Sequence, residues 1–282
     1  MASVTAIVPT RDRPDFAAAA VLSIVNQTRP PNEIIVADDG DGSTGAALVL
    51  RFGVRAVNTG GQGPAIARNR AAELAQGDWL AFCDDDDTWL PGRLERQWNV
   101  ERDDVALVFA DALRSDGTRE WTGRGPAEGS VFDQLLLDNW IPTSTVILRR
   151  EVFRRVGGFE TRFCPAEDYR LWLRVARQEK FAKIDEPLAT YRQHAGQLQQ
   201  NIARMFGATA EAIEDALRED GRAASDIAGL PARLCRLRFV QGRALMRVGN
   251  AQGARRAYRE AAGHQPAHLC ARLFRFLSYL GI

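Results

Sequence analysis

Apolar residues in the first hundred positions fall into short blocks separated by helical stripes. Residues 4–8 (VTAIV) run up to Pro9, and Arg11, Asp12, Arg13 and Pro14 then break the pattern. Ala17, Val21, Ile24 and Val25 recur at i, i+4, i+7 and i+8, the spacing of a helix with one buried face. Residues 33–37 (EIIVA) read as a buried strand that stops at Asp38, Asp39 and Gly40, and residues 54–57 as a third, shorter strand. The loop Gly60, Gly61, Gln62, Gly63 leads into a helix over residues 65–75, with Pro64 suited to its first turn. Residues 79–83 form a further strand that ends at Asp84, Asp85, Asp86 and Asp87. Strands alternating with helices over short connections predict an α/β fold with a mostly parallel sheet flanked by helices.

The middle of the chain, residues 106–194, is less regular. Residues 106–110 and 145–148 read as strands, while residues 115–129 are rich in turn formers and charge. Gly157 and Gly158 stop a short helix, and another begins at Asp168. Beyond Asn201 strand signals vanish and Ala, Leu and Arg dominate, which predicts an all-helical appendage. The expected division is therefore a catalytic domain over residues 1–200, with halves 1–100 and 101–200, followed by a helical region over 201–282.

Composition narrows the class without naming it. At 45% hydrophobic, 26% charged and a net charge of +1, the chain is an ordinary globular protein and not a general nucleic-acid binder. No apolar run approaches the roughly 18 residues that suggest a membrane span, and the first residues lack the pattern of a secretory signal. Cys83, Cys164, Cys235 and Cys270 are scattered, as expected of reduced thiols in a cytoplasmic protein.

Candidate chemistry sits at strand ends. Asp38 with Asp39, and Asp84 to Asp87, each follow the carboxyl end of a strand, where open α/β sheets bind ligands. Four adjacent carboxylates repel one another unless solvent or a cation compensates. A hard ion such as Mg²⁺ or Mn²⁺ takes oxygen ligands and commonly shares them with substrate phosphates. The alternative is a solvated acidic turn capping the helix that begins near Leu90.

Four segments together carry a family resemblance. Residues 77–95 (GDWLAFCDDDDTWLPGRLE) resemble the metal-binding segment of family 2 glycosyltransferases. Residues 4–15 (VTAIVPTRDRPD) with 23–40 (SIVNQTRPPNEIIVADDG) are similar to that family's N-terminal run. Residues 63–82 (GPAIARNRAAELAQGDWLAF) are similar to the helix and strand before its metal motif. Residues 149–176 (RREVFRRVGGFETRFCPAEDYRLWLRVA) resemble the region of its catalytic carboxylate. The resemblance spans about residues 3–196, in order, and implies a GT-A-like, Rossmann-related fold.

It also implies roles. Asp86 would ligate a Mn²⁺ or Mg²⁺ ion, with Asp84 or Asp85 on the ribose or a metal-bound water. Pro9, Thr10, Arg11 and Asp39 would form the nucleobase pocket, with Asp39 accepting from a base N–H, so a UDP- or dTDP-sugar is the expected donor. Arg68 would lie near the diphosphate, where a guanidinium fork matches phosphate oxygens; the alternative is a surface arginine. Asp168 would take the acceptor's proton in an inverting displacement, with Glu167 orienting it; the alternative is a capping pair for the following helix. His194 would reach the metal or diphosphate, or else be a polar surface residue. The chain departs from the family at Arg11 and Asp12, where an aromatic and an Asn are usual. It departs again at Gly40, Asp41, Gly42 and Ser43, where Gly-Ser is usual.

In the tail, residues 242–266 resemble one tetratricopeptide repeat through Ala244, Leu245, Gly249, Ala254, Tyr258, Ala261 and Pro266. One such unit needs neighbours to pack on. From residue 201 onward there are 13 arginines against 7 acidic residues. With the apolar residues 269–282, this basic region either touches an anionic membrane or is a helix buried in the domain. His264 and His268 are spaced i, i+4, but Pro266 between them points to structural roles.

The expected function is transfer of a sugar to a glycan or lipid-linked acceptor, in the cytoplasm or on the inner membrane face. A nucleotidyltransferase is the enzyme alternative, though the Gly-rich basic loop it would show after the first strand is missing. A non-catalytic scaffold using the helical tail is the other.

Overall fold

A computed structural model describes residues 2–100, 104–114, 128–129, 131–192 and 201–265. The first part of the chain alternates strand and helix, as expected, and adds a helix, α2, that the sequence reading did not give: β1 (Val4–Thr10), α1 (Pro14–Val25), β2 (Glu33–Asp38), α2 (Ser43–Phe52), β3 (Arg55–Asn58), α3 (Pro64–Leu74) and β4 (Trp79–Phe82). There follow β5 (Thr88–Trp89), α4 (Arg93–Trp98), β6 (Val105–Arg114), β7 (Glu128–Gly129), α5 (Phe132–Leu137), β8 (Ile147–Arg149), α6 (Arg150–Arg155), α7 (Glu167–Ala176) and β9 (Lys180–Tyr191). Three helices complete the described chain: α8 (Ile202–Asp220), α9 (Leu230–Arg247) and α10 (Ala251–His264).

The strands make one sheet in the order β3-β2-β1-β4-β8-β6-β9-β5, with β7 also on β9. The four strands of the N-terminal half are all parallel. β8 runs antiparallel between β4 and β6, and the long β6–β9 ladder is parallel again. The sheet is thus mostly parallel, as the alternation implied, with short antiparallel insertions.

β1 is flanked by β2 on one side and β4 on the other, so the chain changes direction across the sheet at the β1–β4 pair. Such a switch point opens a crevice beyond the carboxyl ends of both strands. Registers fix what stands there: Thr10 pairs with Asp38, and Ile7 with Phe82, so Cys83 and the four aspartates emerge beside the end of β1.

The core beneath is apolar and continuous, built from Val4, Ala6 and Val8 of β1, Ala17, Val21 and Ile24 of α1, and Trp79 and Ala81 of β4. In α1 the buried face is Ala17, Ala20, Val21 and Ile24, whereas Val25 is 37% exposed. At 100° per residue Val25 falls on the rim of the stripe, and Ala20, a poor hydrophobic signal, falls within it.

Three strands departed from the sequence reading, the first being β7, two residues long within the stretch read as turn formers. β5 is two residues long, too short for any periodicity. β9 runs for 12 residues through an interior proline, and its register with β6 shifts around the pair Asp111–Pro187. A proline inside a ladder needs such an irregularity, and it hides the strand in the sequence.

The chain divides into two compact units. The first, residues 1–132, 140–161 and 174–194, carries the whole sheet. The second comprises residues 133–139, 162–173 and 195–282, so it takes in the start of α7 as well as the C-terminal helices. Within it, α9 and α10 form a hairpin through Gly249, whose φ of 77° suits glycine. The Asn250 side chain caps α10 by accepting from the Gly253 amide at 2.9 Å. Ala254, Tyr258 and Ala261, three of the repeat-like positions, are buried in this hairpin. Arg238 of α9, also buried, reaches Glu214 of α8 at 2.6 Å and Glu260 of α10 at 3.1 Å, tying the three helices together. His264 lies 3.0 Å from Glu214, the structural position expected of it. Pro266, His268 and residues 269–282 lie outside the described residues. Among the described residues no helix is long and apolar enough to cross a membrane. Cys83, Cys164 and Cys235 are free thiols, as expected, and Cys270 lies outside the described residues.

Candidate active site

The four aspartates after β4 form a tight turn, closed by the Asp87 amide donating to the Asp84 carbonyl at 3.1 Å. The turn sorts the side chains into two groups. Asp84, Asp86 and Asp87 each present an oxygen within 4.8 Å of the others. Asp85 points instead to β1, where it accepts from the Thr10 hydroxyl at 2.7 Å and pairs with Arg13 at 3.3 Å. That contact joins the two strands of the switch point. An all-oxygen triad of this kind fits a hard divalent ion and offers no nitrogen or sulfur ligand for a softer one.

Countercharges and hydrogen bonds hold the turn. Arg68 of α3 donates to Asp84 at 2.6 Å, and Arg13 pairs with Asp86 at 3.2 Å. Arg68 is buried, which removes the surface-arginine reading, and its guanidinium lies 5.3 Å above the Phe159 ring. Asp87 is buried and receives the Ser144 hydroxyl at 2.5 Å and the Arg192 amide at 3.1 Å. Burial pushes the Asp85 carboxyl up to about 6, against the pull of Arg13 and Thr10. Burial, and then the charges of Asp84 and Asp86, raise Asp87 well above the usual carboxylate range. Burial likewise raises the Cys83 thiol, so it is no nucleophile.

At the end of β2, Asp38 organises the loop that follows: its carboxylate accepts from the amides of Gly40 at 2.9 Å and Gly45 at 2.8 Å. Asp39 is held from the other side. Its Oδ1 accepts from the Thr59 hydroxyl at 2.7 Å and the Gln62 amide at 2.8 Å, and its Oδ2 from the Gly63 amide at 2.8 Å. Pro9 and Thr10 are buried at the end of β1. Arg11 is exposed beside them, its Nε 3.7 Å from Asp12, which adopts a positive φ of 55°.

Of the residues singled out in the sequence, the first unit thus brings together Pro9, Thr10, Arg11, Asp39, Arg68, Asp84, Asp85 and Asp86. Glu167 and Asp168 belong to the second unit, inside the first turn of α7 rather than at its cap, with Asp168 Oδ1 accepting from the Tyr169 amide at 2.6 Å. His194 lies outside the described residues. The sequence reading missed Arg13, Asp87 as a member of the triad, and Ser144. Arg13 carried a faint signal as a second arginine beside the motif, whereas Ser144 carried none.

A family description, Glycosyl transferase family 2, matches residues 5–157, more than half of the chain. The chain belongs to glycosyltransferase family 2. That membership sets aside the nucleotidyltransferase alternative. Relatives of this family 2 member include an uncharacterized glycosyltransferase of Haemophilus influenzae, 30% identical over 194 residues that make 64% of this chain and 65% of that protein. The UDP-Glc:alpha-D-GlcNAc-diphosphoundecaprenol beta-1,3-glucosyltransferase WfgD of Escherichia coli is 27% identical over 64% of this chain and 73% of its own. The putative teichuronic acid biosynthesis glycosyltransferase TuaG of Bacillus subtilis is 30% identical over 67% and 78%. The chain therefore spans slightly less than two thirds of the Haemophilus protein, and it spans about a third of a Rickettsia felis glycosyltransferase. Among solved structures, Staphylococcus aureus TarS 1–349 aligns with a TM-score of 0.67 at 15% identity, over 98% of this chain and 89% of that one. The mannosyltransferase PcManGT from Pyrobaculum calidifontis, in complex with GDP-Man and Mn²⁺, aligns with a TM-score of 0.63 at 18% identity, over 99% and 80%. These two likenesses establish the GT-A fold.

Proposed function

We propose that this protein transfers a sugar from a UDP- or dTDP-sugar to a hydroxyl of a glycan or lipid-linked acceptor, with inversion at the anomeric carbon. The observation that carries the reading is the triad Asp84, Asp86 and Asp87, whose oxygens converge within 4.8 Å at the β1–β4 switch point. Those residues would hold Mg²⁺ or Mn²⁺, which supplies positive charge to the diphosphate leaving group. Support for a nucleotide-sugar donor comes from TarS, solved in complex with UDP-GlcNAc, and from PcManGT, solved with GDP-Man and Mn²⁺; of the two, TarS supports a pyrimidine base. The diphosphoundecaprenol in the name of WfgD supports a lipid-linked acceptor.

The chain's own groups divide the work. Asp39, and the end of β1 at Pro9, Thr10 and Arg11, take the nucleoside. Arg68, beside Asp84, offers a guanidinium to diphosphate oxygens. The acceptor oxygen bonds to the anomeric carbon as the bond to the diphosphate oxygen breaks, and the electron pair leaves with the nucleoside diphosphate. Asp168 takes the acceptor's proton, with Glu167 beside it, and a charged carboxylate at hydrogen-bond distance suffices for that step. His194 completes the proposed set at the metal or diphosphate. A lipid-linked acceptor would suit work on the cytoplasmic side, with the basic helical region either touching the membrane or buried in the domain.

The test is release of nucleoside diphosphate from UDP- and dTDP-sugars with and without Mn²⁺. Release that needs the ion and vanishes in Asp86→Ala is the expected result. Release that survives Asp86→Ala unchanged would remove the triad from the reaction, and no release from any nucleotide sugar would favour a scaffold.

A further inference from the structure

Arg68 and Arg13 both pair with the acidic turn, and their contacts differ. Arg68 is 8% exposed, bonds Asp84 at 2.6 Å and lies against the Phe159 ring, so it is fixed in place. Arg13 is 34% exposed and holds Asp85 and Asp86 by longer contacts, 3.3 and 3.2 Å. It stands at the N-terminal boundary of α1, directly after the positive-φ residue Asp12, on the loop that leaves β1. Its two carboxylates differ in kind. Asp85 is outside the oxygen triad and is anchored to Thr10, whereas Asp86 is inside it.

We propose that Arg13 is a resident countercation of the donor site that competes with the divalent ion for Asp86 and then serves the donor's diphosphate. The inference rests on the reading that Asp84, Asp86 and Asp87 hold a metal, and it adds a role for a residue outside that set. Without donor, Arg13 bridges Asp85 and Asp86 and lowers the mutual repulsion of the turn. An ion on Asp86 takes up the carboxylate charge that Arg13 neutralised. Arg13 keeps Asp85, and the charge it no longer shares with Asp86 is offered to the diphosphate. Metal and nucleotide therefore bind cooperatively: each removes part of what the other must displace. A residue that only propped up the loop would weaken both ligands when removed.

Opposite signs make the test. Mn²⁺ binding is followed by the electron paramagnetic resonance of the free ion, first on the protein alone and then with UDP, in wild type, Arg13→Gln and Arg13→Lys. Arg13 and Asp86 are both partly exposed, at 34% and 15%, so their pair is worth about 1 kcal/mol, and Arg13→Gln binds Mn²⁺ alone about fivefold more tightly. The same variant binds UDP in saturating Mn²⁺ about tenfold more weakly, as expected for a lost charged contact to phosphate. Arg13→Lys, which keeps the charge, falls between for both ligands, and thermal unfolding of each variant reports whether the loop is intact. Weaker Mn²⁺ binding in a folded Arg13→Gln, or no change in either ligand, overturns the inference while leaving the metal reading standing. A wild-type protein that binds Mn²⁺ no better than Asp86→Ala overturns both.

Discussion

The Ser144 hydroxyl bridges the two ends of the acidic turn, donating to Asp87 at 2.5 Å and accepting from the Asp84 amide at 3.0 Å. A single O–H can do both, because a hydroxyl carries one donor and two acceptor lone pairs. Ser144→Ala leaves the Asp87 carboxylate with the Arg192 amide and strands the Asp84 backbone N–H. The expected loss is about 1–3 kcal/mol of unfolding free energy, the cost of leaving a buried polar group unsatisfied, read from urea denaturation. Mn²⁺ affinity should fall as well, since the triad depends on the turn. Ser144→Thr, which keeps the hydroxyl, should retain most of both.

In the second unit, Arg170 stands two residues after Asp168 and is almost wholly buried. Its guanidinium pairs with Asp215 at 2.9 Å and also with Glu219, both on α8. Breaking a buried pair from one side leaves an uncompensated charge and costs about 3–5 kcal/mol. Asp215→Ala leaves Arg170 paired with Glu219, so its loss in chemical denaturation should approach the lower end of that range. The double variant Arg170→Met with Asp215→Leu should recover much of it, because apolar residues of similar size remove the stranded charge. Equal stability of the single and double variants would contradict the argument.

Acid should loosen the helical region through Glu214. Burial pushes this carboxyl up, but hydrogen bonds from His264 and Arg238 outweigh it, and the net position lies below the ordinary 4.5. A carboxylate depressed in the folded state contributes stability that is fully present above its unfolded value. That contribution is lost as pH falls from about 4.5 through the lower native value. Unfolding followed by circular dichroism between pH 6 and 3 should therefore show a steeper decline for wild type than for Glu214→Gln, the two curves converging at the acid end.

Gly242 tests the α9–α10 hairpin by volume. A Cβ there would stand 2.5 Å from the Tyr258 ring, closer than carbon atoms approach, and the ring is buried. Gly242→Ala should cost about 1–3 kcal/mol through overpacking, despite the better helix propensity of alanine. Adding Tyr258→Leu should restore part of the loss, in a double-mutant cycle read by thermal unfolding.

How much of this was legible in the sequence depended on whether an element carried its own signal. Residues 34–37 are apolar on both faces, as a strand covered on both sides requires, and that run gave the strand away. The four aspartates were conspicuous because unscreened like charges in a row need a reason. The sorting of Asp85 away from Asp84, Asp86 and Asp87 was not legible, since it depends on the i to i+3 closure of the turn and on Thr10 arriving from another strand. Asp87 reads in the sequence as one more exposed acid, and only Ser144 and Arg192, 57 and 105 positions away, make it buried. β9 escaped because Pro187 and four charged residues break its alternation, while its pairing partner β6 supplies the order. The role proposed for Asp168 rests on resemblance and not on physics: an Asp followed by a helix is common, and nothing local marks it as a base.

The base contact proposed for Asp39 carries a consequence for selectivity. A carboxylate offers about four lone-pair directions, and among the described residues Thr59, Gln62 and Gly63 already occupy three, two of them on Oδ1. What remains is one vacancy on Oδ2. The paired N–H groups along the edge of guanine ask for both oxygens together and would find one of them spoken for, whereas the lone imide hydrogen of a pyrimidine asks for no more than is left.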